Sequence, residues 1–364
     1  MHIPFCHKKC PYCAFYKEHH SPQLDASFSS ALCKEINSYR PYNIHLKSIF
    51  FGGGTPSKLS PQSLSKIMTH INQTFKQNKN IERTLECNPE DITKQSLSFF
   101  KSIGINRLSL GIQSFNQKEL SFLGRTHSPK QLHHALQLIK EGPIKNINLD
   151  LIYGLPLSTL EELTYSLEQA LKYNPSHLST YSLSIENGTP FEKQKIMPLQ
   201  GDLEASHYQY IIQTLESKNY QHYEISAFAK EKRQCLHNLS YWRFEPYIGL
   251  GPSAHSFIFP YRFSNPSNIE TYLKKPTPRW QQKPLNPSTK KELTLEFFCS
   301  TLRLKEGIDL NTYKHIFNTT IPTFQQKQIN KLIEQKLLRT QNEHIYCTKK
   351  GRMLLNEILL TLTQ

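Results

Sequence analysis

Apolar positions along the first half of the chain switch between two periods. Short β-type runs occupy 2–5, 44–51, 83–87, 107–112, 146–152 and 178–185. Between them, apolar residues recur every three or four positions. Phe28, Leu32, Ile36 and Tyr39 form one such set, Leu64, Ile67, Ile71 and Phe75 a second, and Leu160, Leu163, Leu167 and Leu171 a third. That spacing puts each set on one face of a helix. Strand–helix alternation predicts an α/β fold of parallel strands joined by crossover helices. Six units make a partial (β/α)6 barrel over about 1–185, short of a closed eight. Ligands of such sheets bind at the C-terminal ends of the strands.

The second half reads differently. A helix is expected at 203–218 and a strand at 223–226, extending the barrel to about 258. The stretch 259–288 is rich in Pro, Lys, Asn and Ser and reads as an irregular connector. Helical periods return at 293–302, 309–317 and 324–336, followed by a strand at 344–347 and a helix at 354–360. These predict a small winged-helix-like C-terminal domain over 289–364. Winged helices often bind DNA. Here the candidate recognition helix, QQKQINKLIEQK, is only mildly basic, so structural or protein-contact use is the stronger reading and no nucleic acid partner is expected.

Composition narrows the class. A chain of 364 residues suggests two or three domains. Apolar residues make up 37%, with 18 Tyr and 20 Phe, which excludes wholesale disorder. No run of about 18 apolar residues occurs, so no transmembrane helix is expected. The start MHIPFCHKKC lacks a basic leader followed by an apolar stretch, so no secretory signal is expected and the cytoplasm is the expected compartment. Thiols stay reduced there, and cysteine clusters point to metal or catalysis. The net charge of +15 is spread along the chain and identifies no partner.

Three of the eight cysteines sit together as C-x3-C-x2-C: Cys6, Cys10 and Cys13, directly after the first strand. Three thiolates can hold three irons of a [4Fe–4S] cluster and leave the fourth iron open. Zinc is the second reading; it normally wants four ligands, the fourth being His7 or a distant residue. Chance proximity is the third. Tyr12 and Phe15 are placed to shield a cluster from water. Cys33, Cys87, Cys235, Cys299 and Cys347 are isolated in apolar patterns and read as buried reduced thiols.

The segment HIPFCHKKCPYCAF resembles the cluster loop of radical S-adenosylmethionine (SAM) proteins, in the coproporphyrinogen III oxidase-like branch. The resemblance implies a radical SAM barrel. It also implies that the open iron is chelated by the methionine end of SAM and that an electron from the cluster cleaves SAM to a 5′-deoxyadenosyl radical. The second strand ends in Gly52-Gly53-Gly54-Thr55-Pro56, more glycine than a turn needs, and the resemblance assigns Gly53, Gly54 and Thr55 to the methionyl end of SAM. Later strand ends carry Glu86, Gln113 and Asp150, a polar ring suited to ribose hydroxyls and an amino-acid head group. Arg125 follows in LGRTH, where a guanidinium could pair with the SAM carboxylate. Singly, each reads more readily as a capping, turn or surface residue; the resemblance matches all four. One departure stands out. Family members begin with Leu-Tyr-Ile-His-Ile-Pro, whose Tyr reaches SAM, whereas here Met occupies the place before His2 and that Tyr is absent. The start was assigned late or the first strand is clipped, and SAM affinity would suffer.

Within the branch, the oxygen-independent coproporphyrinogen III oxidases carry a fourth cysteine two positions past the third. Phe15 stands there in this chain. The HemW-type haem chaperone group instead has three cysteines and an HN-x-x-YW motif, which His237-Asn238-Leu239-Ser240-Tyr241-Trp242 resembles. The similarity runs essentially end to end. It implies haem as ligand, haem-recipient respiratory proteins at the membrane as partners, and a protein that need not be an enzyme; a homodimer is compatible with it. His237 is the expected haem ligand, with His255 second, and Tyr241 and Trp242 are the expected flat faces against a porphyrin. From residue chemistry alone, a structural histidine in an aromatic core remains the stronger reading of that motif. The alternative function is oxidative decarboxylation of coproporphyrinogen III.

Overall fold

The computed structural model describes residues 1–156, 158–282 and 285–363, with the side chains of Arg279 and Gln282 also left aside. One eight-stranded sheet organises the first two thirds of the chain. Its strands are β1 (His2–Ile3), β2 (His45–Gly53), β3 (Lys76–Cys87), β4 (Arg107–Gln113), β5 (Asn146–Tyr153), β6 (His177–Ser182), β7 (Gln221–Glu224) and β8 (Ala227–Ala229). The spatial order is β1-β2-β3-β4-β5-β6-β8-β7. β1 to β6 run parallel in chain order, as the alternating pattern predicts. β8 pairs antiparallel with β6 and with β7, so the sheet stays open and carries a short extension.

The crossover helices start where their sequences say they should. α1 (Pro22–Asn37), α2 (Pro61–Thr74) and α4 (Pro129–Glu141) each follow a serine whose hydroxyl accepts a first-turn amide, with Pro at the start. α3 (Lys94–Ser102) and α5 (Leu160–Leu171) are capped by Thr93 and Thr159. Their apolar faces and the sheet make one core from Ile3 to Tyr272.

Two strands depart from expectation for identifiable reasons. β3 begins at Lys76 rather than 83, because KQNKN is polar and carries no periodic signal while its backbone pairs with His45 and Leu46. The strand expected at 223–226 is a tight hairpin, with Ser226 in the turn accepting from the Thr180 amide at 2.7 Å.

The stretch 259–288, expected to be irregular, holds ordered elements. β9 (His255–Ile258) and β10 (Tyr261–Ser264) form a hairpin, and α8 (Ile269–Lys274) follows α7 (Leu236–Trp242) in the chain. The segment folds back on α1, where one carboxylate gathers three hydrogen bonds beside ring contacts such as Phe28–Tyr272 and Tyr39–Trp280. Glu35 is fully buried. Its Oε1 accepts from Asn265 Nδ2 (2.6 Å), and its Oε2 from the Gly251 amide (2.8 Å) and Tyr272 Oη (2.6 Å). α6 (Gly201–Ser217) packs outside the sheet extension. The C-terminal helices α9 (Lys290–Thr301), α10 (Leu310–Phe317), α11 (Thr323–Glu334) and α12 (Leu355–Thr363), with a short turn of helix at Lys349–Met353, surround a small sheet in the order β11 (Ile308–Asp309), β13 (His344–Cys347), β12 (Leu338–Gln341). Their core also takes in Phe244 and Phe257, so residues just after α7 belong to the packing of the C-terminal helices.

Burial pushes the Glu35 carboxyl up to about 7, against its hydrogen bonds. A carboxyl raised in the folded state contributes stability that is full below the ordinary carboxylate range and is lost as pH rises through about 7. Glu35→Gln puts an amide NH2 against at least one of three donors. It should lower unfolding free energy by about 1–3 kcal/mol and flatten the pH dependence between about 4.5 and about 7. Denaturant unfolding at several pH values reads both effects.

Candidate functional site

The C-terminal ends of β1 to β6 open into a cavity of about 730 Å³ that contains all three clustered cysteines. The loop bearing them is held at both ends. β1 lies beside β2 with His2 opposite Gly52 and Ile3 opposite Gly53. Phe5–Cys6 pairs with Glu18–His19, which closes the loop behind Cys13. Between them the Cys13 amide donates to the Cys10 carbonyl at 3.2 Å. Cys6, Cys10 and Cys13 are free, partly exposed thiols.

The glycine run has a physical cause that spacing alone does not reveal. A Cβ on Gly54 would meet the Phe5 and Ile3 carbonyls at 2.7 and 2.9 Å. One on Gly53, where φ is +109°, would meet the His2 ring. The glycines therefore let β1 approach β2, and the ligand contact expected of Gly53 and Gly54 is left to their backbones, which line the cavity.

Arg125 ties the mouth together. Its Nη2 donates to Asn88 Oδ1 (2.5 Å) and the Gly111 carbonyl (2.8 Å), and its Nη1 points at Cys10 Sγ (3.7 Å). Asn88 Nδ2 donates to Thr55 Oγ1 at 3.0 Å, and that hydroxyl reaches Cys6 Sγ at 3.8 Å. A polar chain thus runs from Cys10 to Cys6 through Arg125, in the loop after the helix that follows β4, and through Asn88 and Thr55, just past the ends of β3 and β2. Burial pushes the Cys6 thiol up, while the Thr55 hydroxyl and the Lys17 charge oppose it. Arg125 Nε is buried with no hydrogen-bond partner among the described residues, so the guanidinium has capacity for a further acceptor.

The polar ring is brought together deeper in the cavity. Glu86 Oε2 accepts the Gly53 amide at 3.1 Å. Burial, then the Asp150 charge, raises Glu86 to about 7. Asp150, also raised by burial, accepts from Asn148 Nδ2 (2.8 Å) and Ser109 Oγ (3.2 Å). Gln113 has φ of +65°, a left-handed conformation outside glycine. The β4–β5 register shifts between Gly111 and Gln113, a bulge that turns this end of β4 toward the cavity. Glu86, Gln113, Arg125, Asp150, Gly53, Gly54 and Thr55 all line it. Sequence reasoning passed over Asn88, Asn148, Ser109 and Tyr181. Asn88 was visible only as the residue before a proline, and nothing in its spacing marks it as the bridge between Arg125 and Thr55.

The HNLSYW segment forms α7 on the wall of the same cavity, which His237, Asn238 and Tyr241 line. The Glu82 carboxylate, from β3, accepts the Leu236 (3.2 Å) and His237 (3.1 Å) amides at the start of α7. A second connection runs from Asp150 through Asn148 Oδ1, which accepts from His177 Nδ1 (2.6 Å). His177 Nε2 bonds Tyr223 Oη (2.8 Å), which accepts the Cys235 amide (3.3 Å). His237 is less free than an open ligand would be. Its Nδ1 bonds Ser48 Oγ (2.9 Å), its Nε2 bonds Tyr241 Oη (2.8 Å), and its ring stacks on Phe50. Burial lowers it to about 3, so the imidazole is neutral. Trp242, expected to face a porphyrin, turns away instead. It packs with Leu239 and Leu304 under the Arg303 guanidinium, about 140° around the helix from His237. His255 is exposed on β9, outside the cavity. Phe15, expected to shield the thiols, is 67% exposed, while Tyr12 packs against Phe191.

Residues 1–170 match the family described as Radical SAM superfamily, and residues 288–354 the HemN C-terminal domain. The fold is that of Escherichia coli coproporphyrinogen III oxidase, HemN, a radical SAM enzyme, with a TM-score of 0.84 at 24% identity over 100% of this chain and 89% of that one. Fold and thiol site together define a radical SAM protein. Two haem chaperones named HemW are more alike in sequence. That of Lactococcus lactis is 33% identical over 98% of this chain and 95% of its own length, and that of Escherichia coli 33% over 99% and 96%. The chain belongs to the HemW family. No described helix is long and apolar enough to cross a membrane.

The side chains fit the groups this family implies. Among the described residues, no three of His, Cys, Asp and Glu converge closely enough to hold one metal ion. A cluster takes each thiolate on a different iron, and Cys6, Cys10 and Cys13 line one cavity. The unpartnered Arg125 Nε suits a carboxylate. Arg125→Ala and Asp150→Ala should each weaken SAM binding, per loaded cluster, by about 1.5–3 kcal/mol, roughly 10- to 150-fold. Equilibrium binding to the reconstituted protein checks this, and unchanged affinity in both variants removes them from the site.

Proposed function

We propose that this protein is a cytoplasmic haem chaperone that binds haem, a [4Fe–4S] cluster and SAM, and delivers haem to respiratory enzymes at the membrane. The observation that carries the reading is full-length similarity at 33% identity to relatives named haem chaperones. Phe15, in place of a fourth cysteine, supports it against porphyrinogen oxidation.

In this reading Cys6, Cys10 and Cys13 hold the cluster. Gly53, Gly54 and Thr55 border the methionyl end of SAM, and Arg125 takes its carboxylate. Glu86, Gln113 and Asp150 receive the amino-acid head group and ribose hydroxyls. The cluster, when bound, supplies a single electron to SAM. His237 is the proposed haem ligand. Its neutral form is the one that ligates iron, and doing so requires releasing Ser48 or Tyr241, after which Tyr241 is free to lie against the porphyrin edge.

The test is anaerobic reconstitution followed by parallel haem titration and coproporphyrinogen III assays. Haem uptake without porphyrinogen turnover is the expected result; enzymatic decarboxylation overturns the reading in favour of an oxidase. His237→Ala should alter the haem absorption spectrum and lower retention, with circular dichroism and non-haem iron and sulfide content unchanged. A folded variant with the original spectrum would release His237 from the role and leave His255 as the candidate.

A further inference from the structure

Lys17 is a buried cation that neither the fold nor the proposed SAM contacts explain. It is 7% exposed and lines the cavity together with Cys6, Cys10 and Cys13. Its ammonium donates to the Cys13 carbonyl at 3.1 Å. Among the described residues it has no carboxylate at ion-pair distance. Lys58, another lysine near these strand ends, shows the ordinary arrangement, with Asp91 at 2.5 Å. An ammonium removed from water without a counter-charge is costly, and a carbonyl oxygen answers one of three donors. The Lys17 charge reaches Cys6 in the thiol loop, whose thiols would be thiolates on holding a cluster.

We propose that Lys17 is the built-in counter-charge of the thiolate loop and raises the reduction potential of the cluster held there; the inference rests on the cluster reading given above. Reduction adds one negative charge to the cluster. A fixed cation in a poorly solvated site favours the more negative state. The competing role is purely structural, a hydrogen bond that shapes the backbone at Cys13. Lys17→Gln keeps a donor for that carbonyl and removes the charge, while Lys17→Arg keeps the charge.

The experiment is an EPR-monitored redox titration of the full chain after anaerobic reconstitution, without SAM. Lys17→Gln should titrate at a more negative potential than the original protein, and Lys17→Arg close to it. Lys17→Gln titrating at the original potential with full iron content overturns the proposal. If Lys17→Gln loads little iron while Lys17→Arg loads normally, charge is needed to assemble the thiolates and the counter-charge role stands. Equal failure of both variants to load overturns it, because charge then makes no difference. An original protein that takes up no cluster under these conditions refutes the cluster reading instead.

Discussion

The Arg125 guanidinium, reaching at once to Asn88, the Gly111 carbonyl and Cys10, is the contact on which the mouth of the barrel depends. It joins the end of β3, the end of β4 and the thiol loop. Asn88 passes the connection to Thr55 at the end of β2, and so to Cys6. Beyond the pairing that holds the loop at both ends, two of the three cysteines are tied to the strand ends, Cys10 through Arg125 and Asn88 and Cys6 through Thr55. Gly111 shows how little room remains, since a Cβ there would meet Gln113 Nε2 at 3.0 Å and Asn88 Oδ1 at 3.4 Å.

A second constraint lies under the cavity. Asp150, Asn148, His177 and Tyr223 hand hydrogen bonds across the sheet to the Cys235 amide, and Glu82 receives the next two amides of α7. The HNLSYW helix is therefore mounted on the polar floor of the cavity rather than hung from a surface loop. Residues that follow it, Phe244 and Phe257, are already part of the C-terminal core. The helix stands between the two bodies of the fold, with Tyr241 on the cavity side and Trp242 on the other.

The parallel barrel was legible because each strand and helix advertises itself over its own few residues. The thiol loop and the strand-end residues were legible for the same reason. Contacts that join distant segments leave no such mark. Glu35 looks like an ordinary α1 surface residue, yet it anchors Asn265 and Tyr272 more than two hundred residues away. The 259–288 stretch looked structureless because its order comes from that anchor and the ring contacts beside it rather than from its own periodicity. Gly53 and Gly54 were read as ligand contacts, and their lack of side chains is first a requirement of β1 packing. His237 was readable as chemistry and not as environment. Ser48, Phe50 and Tyr241, which enclose it, come from two separate elements.

The central claim is that the three thiols hold a [4Fe–4S] cluster with one open iron that SAM can reach. Mössbauer and EPR spectra of the anaerobically reconstituted protein, recorded with and without SAM, test it most directly. The account predicts one cluster per chain, with a distinct iron site whose signal changes when SAM is added. Stoichiometric zinc without iron, or a cluster whose four irons ignore SAM, would contradict it.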